Sequence, residues 1–203
     1  AQKSYLEAWK IYNSCGDTVN VMNILLELGR LNRDLESDSL ALIFYKKGLN
    51  LARSAKNPVY MGKFLNESAV IIQGNGNYKK AGEMYRQAIA EFRRAGDKMN
   101  ERNARIDMVS IYLDQKQYDT ALCLYLDLIK NADTADAGYL GRLYTRTGHI
   151  YFQKKDYAKS LLYNQKALYV RQKAKSAVEI NSSYINIGGD YYMLGKADSG
   201  KYY

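Results

Sequence analysis

Small, aromatic and large apolar residues return along this chain at a fixed period. The segments Tyr78-Lys79-Lys80-Ala81, Tyr118-Asp119-Thr120-Ala121 and Tyr157-Ala158-Lys159-Ser160 align when the sequence is shifted by 40 and then 39 positions. The same shift reaches Asp38-Ser39-Leu40-Ala41 upstream and Ala197-Asp198-Ser199-Gly200 downstream. Four residues after the small residue stands an aromatic, at Tyr5, Tyr45, Tyr85 and Tyr125, with Tyr163 one position early. Three further on comes another small residue (Ala8, Gly48, Ala88, Ala167, with Leu128 the exception), followed at once by Trp9, Leu49, Ile89, Ile129 or Leu168. Twelve residues ahead of the first small position sits another slim one, at Gly29, Ala69, Val109, Gly148 and Gly188. An aromatic or apolar residue follows it at Ile72, Tyr112, Tyr151 and Tyr191, where only Asn32 departs.

Offsets of three, four and seven place residues on one face of a helix. Small residues where helices cross let the axes approach, and neighbouring aromatics fill the groove beside them. Each unit is therefore predicted to run helix A, a short turn, helix B and a loop. The turns fall at Gly74-Asn75-Gly76-Asn77, Asp114-Gln115-Lys116-Gln117, Gln153-Lys154-Lys155-Asp156 and Gly195-Lys196. Asp17, Asn57 and Asp97 are the predicted N-caps, with Pro58 at a first helical position. No alternating run of β-branched residues argues for a strand, so the chain reads as all helix.

Composition narrows the chemistry. The 203 residues suffice for a sizeable core, and an apolar share of 47% beside 25% charged residues excludes wholesale disorder. No apolar run is long enough to span a membrane. Cys15 and Cys123 lie in no metal-type spacing and are expected to be free thiols, and the single histidine, His149, leaves little for a metal centre or a triad. No phosphate loop, nucleophile elbow or pair of carboxylates in an apolar setting occurs, so no enzyme and no cofactor are expected. The 20 tyrosines read mainly as packing between helices, with a late cluster at Tyr191, Tyr192, Tyr202 and Tyr203. Net charge is +9, distributed as +2 over residues 1–60, +3 over 61–100, −3 over 101–140 and +7 over 141–203. The basic stretch includes Lys154, Lys155, Lys159, Lys166, Arg171, Lys173 and Lys175, of which Lys166, Arg171, Lys173 and Lys175 are placed on an outward helix B. A solvated face accounts for it, and no nucleic-acid motif accompanies it.

The pattern resembles the tetratricopeptide repeat. The resemblance is carried by Leu25-x-x-Leu28-Gly29, Tyr144-x-x-Thr147-Gly148-x-x-Tyr151, Tyr184-x-x-Ile187-Gly188-x-x-Tyr191 and Tyr78-x-x-Ala81-x-x-x-Tyr85-x-x-Ala88. It implies a right-handed α-α superhelix, a solenoid of antiparallel helix pairs. The whole chain is expected to form one array: a partial helix B over 1–16, repeats over about 17–56, 57–96, 97–135 and 136–175, and a truncated unit over 176–203. The standard unit is 34 residues. The extra residues here are expected to lengthen both helices by about a turn, since a turn is about 3.6 residues. Longer units of this kind are similar to those of bacterial regulatory and sensor proteins.

In this family the concave wall is lined mainly by helix A and holds the ligand. Carried over by position, that role falls on Asn23, Arg30 and Arg33, then Lys63, Asn66 and Gln73, then Asn103, and finally Arg142, Thr145 and His149. Arg30, Arg33, Lys63 and Arg142 suit an acidic group, while the amides suit an extended peptide backbone. The arrangement of a chaperone carboxylate clamp does not recur. The resemblance thus implies a non-catalytic module that binds a protein or peptide, acidic in part, within a larger bacterial signalling or transcriptional regulator. The alternative is a structural spacer or oligomerisation platform that self-associates through open solenoid ends. The sequence reads as a piece of a longer protein, opening on Ala1 and stopping at Tyr203 soon after a turn, and leaves cytoplasm and periplasm equally open.

Overall fold

The computed structural model describes residues 2–175 and 177–200, and every element among them is helical. In chain order these are α1 (Gln2–Ser14), α2 (Thr18–Asp34), α3 (Asp38–Ser54), α4 (Pro58–Gly74), α5 (Tyr78–Arg94) and α6 (Lys98–Asp114). They continue as α7 (Tyr118–Lys130), α8 (Ala137–Gln153), α9 (Tyr157–Lys173), α10 (Ala177–Met193) and the short α11 (Ala197–Gly200). The chain divides into two compact units, Ala1–Ile111 and Tyr112–Tyr203.

The extra length of the unit lies in the helices: α2 to α6 and α8 to α10 each have 17 residues, joined mostly by tight turns. One turn geometry recurs. After α2, the Glu36 N–H donates to the Arg33 carbonyl at 2.9 Å and the Ser37 N–H to the Asn32 carbonyl at 2.8 Å. The same pair of bonds closes α3 through Lys56 and Asn57, α4 through Gly76 and Asn77, and α5 through Gly96 and Asp97. This closure satisfies carbonyls orphaned at a helix end and needs one residue in the left-handed region. That residue falls at Gly16, Glu36, Lys56, Gly76, Gly96 and Lys116, then at Lys155, Lys175 and Gly195, so the conformation returns every 20 positions within each run. One helix with its turn is therefore the smallest repeating element of the backbone.

The last residue of the turn also opens the next helix. Asp17 accepts from the Asn20 N–H, Asn57 from Tyr60 and Asp97 from Asn100, as the sequence predicts, and Asn77, Asp136 and Asp156 do the same elsewhere. Asn57 closes α3 with its backbone N–H, which alanine keeps, but caps α4 with its side chain, so Asn57→Ala is expected to destabilise unit one by about 1 kcal/mol, read as a lower denaturant midpoint. An unchanged midpoint would mean that Pro58 and the closing bonds set this start unaided.

The periodic residues are the core. Ala41, Ala81 and Ala121 are fully buried, and Tyr45, Tyr85 and Tyr125 lie on them as inaccessible rings, each burial contributing roughly 2 kcal/mol. In unit one, Val21, Met22, Leu25 and Leu26 pack with Tyr45, Tyr60 and Phe64, and Leu65, Ala88, Ile89 and Phe92 continue the core toward Ala104. In unit two, Leu143, Ile150, Ala167 and Ile187 are fully buried, and Tyr163 stacks on Tyr151 at 5.4 Å.

One outward placement is corrected. Arg171, expected on the exposed face of a helix B, is buried: its Nη1 donates to Ser183 Oγ at 2.6 Å. The cause is Gly141, where a Cβ would lie 3.1 Å from Arg171 Nε, so the missing side chain leaves room for the guanidinium. Desolvation holds Arg171 below its ordinary range, while Glu179 pulls the other way. Lys166, Lys173 and Lys175 are exposed as expected. Cys15 and Cys123 are exposed free thiols. Among the described residues no helix is long and apolar enough to cross a membrane, and no group of residues is arranged to hold a metal. Tyr202 and Tyr203 of the late cluster lie outside the described residues, whereas Tyr192 is exposed.

Candidate functional site

In unit one the residues singled out on helices A are joined sideways to one another and to their neighbours. α2 meets α4 through the Tyr60 hydroxyl, which donates to Asn23 Oδ1 at 2.5 Å, and through Glu67. Glu67 accepts from Arg30 Nε at 2.8 Å on one oxygen and from Arg33 Nη1 at 2.6 Å on the other. Arg30 also contacts Glu27 at 2.9 Å. Desolvation alone would lower the pKa of Arg30, but hydrogen bonding and attraction to Glu67, then Glu27, raise it above its ordinary value. Two cations assigned by sequence to an incoming acidic group are thus already matched to an internal carboxylate.

The seam continues from α4 to α6. Asn66 Nδ2 donates to Asp107 at 3.1 Å, and Gln73, which is buried, donates to Ser110 Oγ at 2.9 Å while accepting from the Tyr85 hydroxyl at 2.9 Å. Asn66 Oδ1 and Asn103 Oδ1 are buried with no hydrogen-bond partner among the described residues. Lys63 is half-buried, with Nζ 4.9 Å from the centre of the Tyr60 ring, a cation over an aromatic face. Lys63 and Asn103 are thus the wall residues of unit one least absorbed by the seam, while Asn23 is exposed yet tied to it by Tyr60.

In unit two, Arg142, Thr145 and His149 share one face of α8. Arg142 is half-buried, and its Nε has no hydrogen-bond partner among the described residues. Thr145 Oγ1 donates back to the Gly141 carbonyl at 3.0 Å. His149 is exposed, with Nε2 3.2 Å from Gln153 Nε2. Partial desolvation and then the Arg146 charge hold its pKa below the ordinary histidine value, so it is neutral at pH 7. Thr145 and His149 line a pocket of about 410 Å³ together with Arg146, Phe152, Ile185 and Asp190. The sequence reading missed Glu67, Asn164 and Asp190. Glu67 carries no signal until neighbouring helices are paired, but the other two are polar intrusions into periodic core positions.

Residues 60–134 match the tetratricopeptide repeat family model. No curated protein matches the sequence. Among solved structures, BtubC from P. vanneervenii superposes with a TM-score of 0.77 at 16% identity, over 98% of this chain and 85% of that one. The STAND signal-transduction ATPase with a tetratricopeptide repeat sensor from Pyrococcus horikoshii gives 0.69 at 18%, over 89% of this chain and 29% of that one. The apo quorum sensor NprR from B. thuringiensis gives 0.72 at 14%, over 99% of this chain and 57% of that one. At these identities the likeness shows the fold alone, an all-α array of antiparallel helix pairs of the solenoid class.

Proposed function

We propose that this chain of tetratricopeptide repeats is a non-catalytic protein- or peptide-binding module, the sensor or scaffold region of a larger bacterial regulatory protein. Its repeats, at about 17–56, 57–96, 97–135 and 136–175 with a truncated unit at 176–203, present the helix A wall to the ligand. The observation that carries the reading is the periodicity itself, which commits residues throughout the chain to helices and their turns. What the repeats leave for function is a wall of side chains. The quorum sensor and the STAND protein with its repeat sensor, both similar in fold, support a sensing role.

The seam refines which residues contact a partner. Arg30, Arg33, Asn66 and Gln73 brace one helix A against the next, so the ligand-facing residues are Asn23, Lys63 and Asn103 in unit one and, taken by themselves, Arg142, Thr145 and His149 in unit two. The test is a pull-down from the source cell comparing the intact chain with an Asn23→Ala/Lys63→Ala/His149→Ala variant, which leaves the seam's carboxylates and guanidiniums in place. A partner kept by the first and lost by the second is the expected result. Equal recovery would overturn the wall reading and favour a spacer or self-associating platform, which sedimentation at rising concentration would then reveal.

A further inference from the structure

In unit two the core rule of the repeat is broken at three places that converge. Where earlier repeats have Ala41, Ala81 and Ala121, α9 has Ser160; where they have Tyr45, Tyr85 and Tyr125, it has Asn164. Two positions after the slim residue of helix A, Ile71, Ile111 and Ile150 give way to Asp190. The polar residues are as buried as the apolar ones they replace: Ser160 and Asp190 are 0% exposed and Asn164 is 4% exposed. Asn164 Nδ2 donates to Asp190 Oδ2 at 2.6 Å and lies 3.4 Å from Ser160 Oγ. Asp190 Oδ1 is buried with no hydrogen-bond partner among the described residues. All three line the 410 Å³ pocket, which opens where an asparagine stands in place of a tyrosine ring.

A carboxylate oxygen closed off from water without a donor is strongly unfavourable, and native proteins keep few of them. Burial pushes the Asp190 carboxyl above its ordinary range, and the Ser160 hydroxyl and Asn164 amide beside it pull only partly back. The rest of the lining is mixed. Phe152 and Ile185 are apolar, Ile185 being 74% exposed, and His149 is neutral at pH 7. The cation on the lining, Arg146, is exposed.

We propose that this pocket receives a primary ammonium group on a short apolar stem, the ammonium meeting Asp190 at the floor and the stem lying against Phe152 and Ile185. A compact cation supplies the donor that Oδ1 lacks and balances the buried charge. It reaches Oδ1 through a side-chain rotation at the floor. The proposal deepens the wall reading and rests on it, because Thr145 and His149 belong to both. A lysine side chain of a protein partner and a free small amine share this chemistry.

The test titrates the chain with n-butylammonium chloride and, separately, with n-butanol, following amide chemical shifts by NMR. Saturable shifts at α8 and α10 with the amine and none with the alcohol are expected. Asp190→Asn is expected to weaken the amine at least tenfold. Gly189→Leu, at a pocket-lining position where an added Cβ meets nothing within 4 Å, is expected to block it without disturbing the core. It keeps the test valid if the Asp190 variant folds poorly. An end-capped Ala-Lys-Ala peptide that saturates while its acetyl-lysine counterpart does not assigns the ammonium to a partner's lysine. Binding of the amine alone assigns it to a small molecule. Equal shifts with n-butanol, or undiminished binding in both variants, would overturn the proposal. If the pull-down partner is still lost on substitution of the wall, that failure belongs to the pocket and not to the module.

Discussion

Replacing Gly48 with alanine is expected to lower the stability of unit one by about 2 kcal/mol, whereas the same change at Gly82 is expected to raise it. Both glycines lie inside helices, where alanine is favoured over glycine by about 1 kcal/mol. The difference is what a methyl would meet. At Gly48 it would sit 2.1 Å from Phe64 Cζ; at Gly82 nothing comes closer than 3.7 Å. Phe64 cannot retreat cheaply, because it is fully buried between Tyr45 at 6.4 Å and Tyr60 at 6.3 Å. Overpacking of a closed core typically costs 1–3 kcal/mol, occasionally more, which outweighs the helical gain. The comparison is read from thermal melts followed by circular dichroism. A Gly48→Ala melt at or above that of the parent would mean that the crossing of α3 and α4 has slack, and with it that the small-residue period is incidental to packing.

That period is what made the fold legible. Ala41, Tyr45 and Gly48 were placed on a buried helical face from spacing alone, and each is buried. The caps at Asp17, Asn57 and Asp97 followed because their chemistry is local: a side-chain oxygen reaches an N–H three residues on. What spacing did not show was how one helix A answers the next. Glu67 reaches Arg30 and Arg33, 37 and 34 positions back, slightly less than the repeat period, because the contact runs sideways between helices. A residue judged singly as an exposed arginine on a wall gives no hint of that partner. The polar pocket was within reach, however. Tyr163 was aligned as an aromatic one position early, which hid that Asn164 holds the true core place, while Ser160 in an alanine column and Asp190 in an isoleucine column are departures a strict alignment exposes.

Glu67→Ala is expected to cost about 1 to 2 kcal/mol and to turn the wall of unit one into an anion site. Glu67 is well shielded, its side chain 13% exposed, while Arg30 and Arg33 remain 40% and 32% exposed. Removing one partner of a fully buried pair costs about 3–5 kcal/mol, and solvent screening of the partly exposed guanidiniums reduces that figure. Two like charges then face each other beside the Tyr45 hydroxyl, which is buried without a hydrogen-bond partner among the described residues. Because the loss is one of pairing, it should vanish when the pair is removed together: Arg30→Ala/Arg33→Ala/Glu67→Ala is expected to be more stable than the summed effects of its parts. The coupling should shrink as salt is raised, since partly exposed charges are screened. Sulfate should also stabilise Glu67→Ala more than the parent, because it replaces the lost carboxylate between the two guanidiniums, whose remaining partners, Glu27 and Asp34, lie on their own helix. Additive losses across this cycle, with no extra response to sulfate, would show that Glu67 serves only as packing and that the arginines were available to an acidic ligand from the start.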